Sequence, residues 1–166
     1  MQKKINIICV AGARPNFIKI APLMEAFKEE PSIEATIVHA MQHYDEKMSD
    51  FFFRQLEIPE PDINLGCSGG SHAQQTATII VAFEKVLLEK KTDAVLVVGD
   101  ANSTIDCGLV TVKIEIKLIH VEAGLRSFDC TMPEEINRIL TDSISDLLFV
   151  CEPSDVENLL KEGLPP

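Results

Sequence analysis

Basic residues are in short supply: 15 Lys and Arg stand against 26 Asp and Glu, a formal net charge of −11. A surface that binds nucleic acid or anionic lipid needs the opposite excess, so neither is expected as a partner. No apolar run reaches the roughly 18 residues that span a bilayer, and the start at Lys3 and Lys4 leads into too short an apolar stretch for a signal peptide. These absences predict a soluble cytoplasmic protein. Paired cysteines are missing too. Cys9, Cys67, Cys107, Cys130 and Cys151 contain no C-x-x-C and are odd in number, which fits neither a disulfide framework nor a zinc cluster. Cys9 and Cys151 fall in apolar runs and read as small buried hydrophobes. Neither repeats nor low-complexity tracts occur, and 166 residues suit one domain with a single core.

What is there is alternation. Val- and Ile-rich runs at Ile5–Ala11, Ile33–His39, Ala94–Gly99, Lys117–Val121 and Leu147–Cys151 read as buried parallel strands. Between them lie stretches with helical spacing, beginning with Phe17, Ile20, Ala21, Met24 and Phe27, where Pro22 should kink or restart the helix. Ser71 and Gln74 form a capping box for a helix running to about Glu89. Tyr44–Leu56, Asn102–Lys113, Pro133–Ser145 and Ser154–Glu162 read as further helices, with Gly163 as a C-cap. "PDINL" is a poor strand. The pattern predicts an α/β fold, a doubly wound and mostly parallel Rossmann-like sheet. The ending "KEGLPP" falls after a helix, where a further strand is expected.

Ligands of such sheets bind beyond the carboxyl ends of the strands. Three of those ends carry charge: "GARPN" with Arg14, "GDANST" with Asp100, and "HVEAGLRS" with Glu122 and Arg126. Asp100 could instead cap the helix near Asn102, and Glu122 could pair with Arg126 or Arg14. "MPEEINR" adds Glu134 and Glu135 at a helix start, with Arg138 four residues after Glu134 as its alternative ion-pair partner. The glycine-rich "GCSGGSH" lacks both G-x-G-x-x-G and the Walker pattern and reads as a connector or lid. No compact acidic motif joins Asp100, Asp106 and Glu122 into a metal site, and no metal is expected.

Taken in order, "GARPNFIKIAPL", "QHYDEKM", "GDANST", "HVEAGLRS" and "MPEEINRILTD" resemble the amino-terminal half of the UDP-N-acetylglucosamine 2-epimerases, over essentially the whole chain. The resemblance implies one half of a two-domain glycosyltransferase-like fold of the GT-B type, with residues 1–166 as the amino-terminal domain and the carboxyl-terminal nucleotide-binding domain absent. It implies interconversion of UDP-GlcNAc and UDP-ManNAc for polysaccharide synthesis, without a cofactor. Asp100, Glu122 and Glu134 match the acid/base positions. Arg14, Lys19, Gln42 and His43, with Arg126 and Arg138, are the expected substrate-binding residues. A UDP-sugar substrate, a homodimer and a separately encoded carboxyl-terminal half are the expected partners. Asn16 stands where the family usually has Glu, Ala40-Met41 where it has Thr-Gly, Ser143 where it has His, and Glu115 where relatives often place a proline. Two other readings stay open: a non-catalytic fragment, and half of a glycosyltransferase.

Overall fold

A computed structural model describes residues 4–41 and 60–164, without the side chain of Arg14. The expected helix at Tyr44–Leu56 lies outside the described residues. Among those described, the elements are β1 (Ile5–Ala11), α1 (Arg14–Glu29), β2 (Ile33–Met41), β3 (Ile63–Cys67), α2 (His72–Glu89), β4 (Ala94–Val98), α3 (Asn102–Lys113), β5 (Lys117–Ala123), α4 (Pro133–Ile144), β6 (Leu147–Val150) and α5 (Pro153–Lys161). All strand pairings are parallel, in the order β3-β2-β1-β4-β5-β6. This is the doubly wound Rossmann-like sheet. The order reverses between β1 and β4, so a crevice opens beyond their carboxyl ends.

Side-chain alternation along β1 divides the core. Ile7, Cys9 and Ala11 face α1 and pack with Phe17, Ile20, Met24, Leu96 and Val98. Ile8 and Val10 face the other side and pack with Ile79, Phe83, Leu87, Cys107 and Val110 of α2 and α3. With both faces covered, the central strands can be continuously apolar, and all five residues of β4 are buried. No helix among the described residues is long and apolar enough to cross a membrane.

Local chemistry sets the ends. The Ser71 hydroxyl accepts from the Gln74 amide at 3.3 Å while the Gln74 side chain accepts from the Ser71 amide at 2.9 Å. At the other extreme, Gly163 has φ +83°, its amide donates to the Leu160 carbonyl, and the Leu164 amide donates to the Leu159 carbonyl. That is a Schellman close.

Two expectations need correction, and at Pro22 the helix does not restart. "PDINL" does contribute a strand, because the edge position of β3 requires one ladder only and its pattern alternates, with Ile63, Leu65 and Cys67 on the more buried side. Helix α1 continues through Pro22, whose exposed position lets water take the carbonyl of exposed Ile18 that the missing N–H leaves without a donor. Cys151 is exposed, since β6 is an edge strand and ends at Val150. Cys9 is buried as expected, and burial pushes its thiol up to about 12.

Asp106 of α3 is 3% exposed, and its Oδ2 has no hydrogen-bond partner among the described residues. Burial pushes its carboxyl up to about 6 against a bond from the Thr76 side chain that pulls it down. A raised carboxyl pKa means that the folded chain holds the extra proton, so stability falls as pH climbs from about 4 to about 6 and stays lower above. Asp106→Asn should therefore gain roughly 1–3 kcal/mol at pH 7 and nothing below about pH 4. Urea unfolding at several pH values checks this; an equal gain at every pH would contradict it.

Candidate active site

The loop after β1 is fastened to its neighbours by one glycine and one asparagine. A Cβ on Gly12 would lie 1.7 Å from Ser103 Oγ, so no side chain fits where this loop crosses the start of α3. Asn16 is 5% exposed; its Oδ1 accepts from the Ala13 amide at 2.8 Å and its Nδ2 donates to the Val98 carbonyl at 2.8 Å. The same carbonyl accepts from the Thr104 hydroxyl at 3.1 Å. Asn16 thus joins the end of β1 to the end of β4. One turn further along α1, the Lys19 ammonium lies 2.5 Å from Glu122 Oε2.

Beyond β4 the chain turns at Gly99, with φ +72°. A Cβ there would stand 3.4 Å from Glu122 Oε2 and 3.6 Å from both Asn16 Nδ2 and Lys19 Nζ. Those distances bring the β1, β4 and β5 loops together around a single glycine. Asp100 follows. It does not cap α3, whose N-cap is Ala101 without a side-chain bond. Arg138 Nε and Nη2 reach its Oδ2 at 3.1 and 3.0 Å, and no bond falls to Oδ1 among the described residues.

Glu122 owes its place to a break in the ladder. Val121 pairs with Phe149 and Ala123 with Val150, so Glu122 is the extra residue of a bulge and takes φ +70°. For a non-glycine residue that backbone costs about 1–3 kcal/mol, and such strain is characteristic of functional positions. Of the two partners considered from the sequence, Arg126 pairs instead with Asp142 and Glu162, and the Arg14 side chain lies outside those described; Lys19 pairs with Glu122.

The two glutamates of α4 part company. Glu135 is 1% exposed; its carboxylate accepts from the Ser127 and Phe128 amides and pairs with Arg138. Burial pushes this carboxyl up, and the bonds from Ser127, Phe128 and Arg138 outweigh it, holding it below the usual glutamate value. Glu134 is exposed on the same first turn, without the ion pair to Arg138 that its spacing allows. Asn137 donates to the Asp100 carbonyl at 2.9 Å and to Asn102 Oδ1 at 3.1 Å. The first turns of α4 are thereby tied to the Asp100 loop.

Arg126 is placed differently from the other cations. Its side chain is 1% exposed and lies 2.8 Å from Asp142 and 2.6 Å from Glu162. Burial works against the guanidinium charge, and Glu162 and Asp142 more than offset it. Gln42 and His43 lie outside the described residues. Sequence reasoning passed over His120, Asn137 and Asp142, named Asn16 only as a departure from the family pattern, and offered Glu135 beside Glu134 as an acid at a helix start. The available signal was polarity inside an apolar strand: His120 is 0% exposed in β5 and needs partners there.

Among the described residues no three His, Cys, Asp or Glu side chains come together as metal ligands. Among the described side chains, the arrangement offers two carboxylates at adjacent strand ends, each touching one cation, and an exposed third on a helix start. Such groups can take and return protons beside a bound anion. Glu135→Gln should cost about 3 kcal/mol, because it keeps one oxygen for the Ser127 and Phe128 amides but loses the buried charge and turns an amide NH2 on the Arg138 guanidinium. Glu134→Gln should stay within about 1 kcal/mol, the scale of a helix-dipole contribution. Thermal or urea unfolding of the pair checks this, and equal losses would contradict the assignment of Glu135 as the structural member.

A family model described as UDP-N-acetylglucosamine 2-epimerase matches residues 25–166. A UDP-N-acetylglucosamine 2-epimerase homolog of Methanococcus maripaludis is 50% identical over 161 residues, 96% of this chain and 44% of that protein. A UDP-2,3-diacetamido-2,3-dideoxy-D-glucuronate 2-epimerase of Pseudomonas aeruginosa is 46% identical over 159 residues, 96% of this chain and 45% of that one. The crystal structure of Methanocaldococcus jannaschii UDP-GlcNAc 2-epimerase in complex with UDP-GlcNAc and UDP superposes with a TM-score of 0.92 at 44% identity, covering 97% of this chain and 44% of that one. The chain thus spans less than half the length of these relatives and corresponds to their amino-terminal half. It belongs to the UDP-N-acetylglucosamine 2-epimerase family.

Proposed function

We propose that the chain supplies the acid/base half of an epimerase that inverts C2 of a UDP-linked 2-acetamido sugar, UDP-GlcNAc to UDP-ManNAc. The observation that carries this reading is Glu122, bulged from β5 so that it touches Lys19 and approaches Gly99, the residue before Asp100, whose partner is Arg138.

The chemistry calls for carboxylates. The hydrogen on C2 is not acidic in the ground state, since no carbonyl is conjugated to it. Breaking the C1–O bond to UDP gives C1 oxocarbenium character, which acidifies the neighbouring C2–H. A carboxylate then takes that proton and a glycal forms beside bound UDP. Return requires a proton delivered to the opposite face of C2 while a UDP phosphate oxygen bonds C1 again. Two faces need two positioned groups, and Asp100, Glu122 and Glu134 are the three available. Arg14 and Lys19 serve the anionic leaving group, with Gln42 and His43 on the substrate side. Arg138 acts through Asp100, and Arg126 through the loop it anchors.

The remaining nucleotide contacts fall to a carboxyl-terminal half of the kind the relatives possess. Homodimerisation through helices of this half, a cytoplasmic location and a role in polysaccharide synthesis complete the reading. Exposed Val81 and Leu88 give α2 apolar surface for such a contact. The P. aeruginosa relative favours one further substrate, a UDP-diacetamido-glucuronate handled by the same C2 chemistry.

The test is turnover in D2O with UDP-GlcNAc, by the chain alone and mixed with a carboxyl-terminal half. The product should carry deuterium at C2, and Asp100→Asn, Glu122→Gln or Glu134→Gln should lower that incorporation by about 100-fold or more. Sugar transfer to an acceptor without C2 exchange would overturn the reading in favour of a glycosyltransferase, and no exchange in any mixture would leave a non-catalytic fragment. Exchange with the glucuronate substrate alone would shift the substrate and keep the reaction.

A further inference from the structure

We infer that His120 and Asp142 are positioning residues: a buried imidazolium–carboxylate pair that grips the backbone beside each strand-end acid and so sets where Asp100 and Glu122 stand. This rests on the epimerase reading for its catalytic consequence and on geometry alone for its structural one.

Both side chains are 0% exposed. His120 Nε2 lies 2.9 Å from the Gly99 carbonyl, which can only accept, so Nε2 must donate. His120 Nδ1 lies 2.6 Å from Asp142 Oδ1. Asp142 Oδ2 lies 2.8 Å from the Arg126 guanidinium and accepts from the Gly124 amide at 3.0 Å, contacts that favour the ionised carboxylate whatever the state of His120. Asp142 is therefore ionised and can only accept, and Nδ1 donates as well. A ring that donates from both nitrogens is an imidazolium.

What the pair holds is specific. Gly99 precedes Asp100, and Gly124 follows Glu122 by two residues; both are glycines with positive φ, +72° and +81°. A glycine peptide is freer than any other to swing, and here each is fastened by the same pair. His120 takes the Gly99 carbonyl, and Asp142 Oδ2 accepts from the Gly124 amide at 3.0 Å. Asp142 belongs to α4, which carries Glu134 on its first turn. One contact thus joins the three elements that bear the three acids. For stability alone, apolar residues of similar volume often replace a buried ion pair without loss, so the charges here point to orientation.

The test begins with ring-nitrogen NMR of chain labelled with 15N-histidine, the His120 signal being assigned by its loss in His120→Gln. Both ring nitrogens should show the protonated shift and a bonded hydrogen; a neutral tautomer would overturn the proposal. Two substitutions then separate the contacts. The amide nitrogen of Gln at 120 falls near the site of Nε2 and keeps the donor to Gly99, whereas that of Asn falls near Nδ1 and keeps only Asp142. Gly99 and Asp100 amide shifts should move in His120→Asn and stay in His120→Gln. In turnover with a carboxyl-terminal half, His120→Asn should lose about 100-fold in kcat with KM within about 3-fold, and His120→Gln should stay within about 5-fold of the parent. Equal losses from the two, at equal melting temperatures, would overturn the positioning role. A parent chain without turnover would remove the epimerase reading, while the ring-nitrogen signal and amide shifts would still decide the clamp.

Discussion

The carboxylate of Asp142 is the contact on which the rest of the site depends. It is buried and shared among the His120 ring, the Arg126 guanidinium and the Gly124 amide. Through these it holds together α4, the end of β5 and, by way of His120, the turn after β4. An isolated carboxylate in such a place would be costly; two cations and an amide satisfy it, and Glu162 in turn partners Arg126. The formal charges of these four side chains cancel. The network then continues on the other side of Asp100, where Arg138 links that residue to Glu135 and Glu135 accepts from the Ser127 and Phe128 amides.

Around this framework the parallel sheet makes its own demand. Strand order reverses between β1 and β4, so the loops leaving their carboxyl ends diverge and open a crevice. The protein fills the near side of that crevice with closures only small residues allow: Gly12 against Ser103, and Gly99 beside Glu122, Lys19 and Asn16. Glu122 is set there by a bulge whose backbone strain the surrounding bonds offset. Tight packing and local strain occur together at the carboxyl ends of β4 and β5; at the amino ends, Glu115 before β5 also takes a positive φ, +62°.

Much of the architecture was legible because it rests on periodicity and local chemistry. The β1 run, the Asn102–Lys113 helix and the Ser71–Gln74 capping box follow from apolar spacing and end signals, and the structure has them at those positions. The strand ends that carry Asp100 and Glu122 were legible for the same reason. The partners of the charges were not, because pairing across a sheet depends on register and bulges. Spacing offered Glu134 to Arg138, and the structure gives Glu135 and Asp100 instead. Sequence proximity offered Arg126 to Glu122, but the bulge turns Glu122 towards Lys19, 103 positions away, and Arg126 is drawn inward to Asp142. β3 was obscured because an edge strand needs only half the apolar content of a central one.

The central claim is that the strand-end loops gathered by this network form one site that works on a single sugar carbon. A crystal structure of the chain with bound UDP-GlcNAc and a carboxyl-terminal half measures this directly. The account predicts sugar C2 within roughly 4 Å of at least one carboxylate among Asp100, Glu122 and Glu134, with the diphosphate against the Gly12–Asn16 loop. A sugar nucleotide seated with C2 away from all three carboxylates would contradict it.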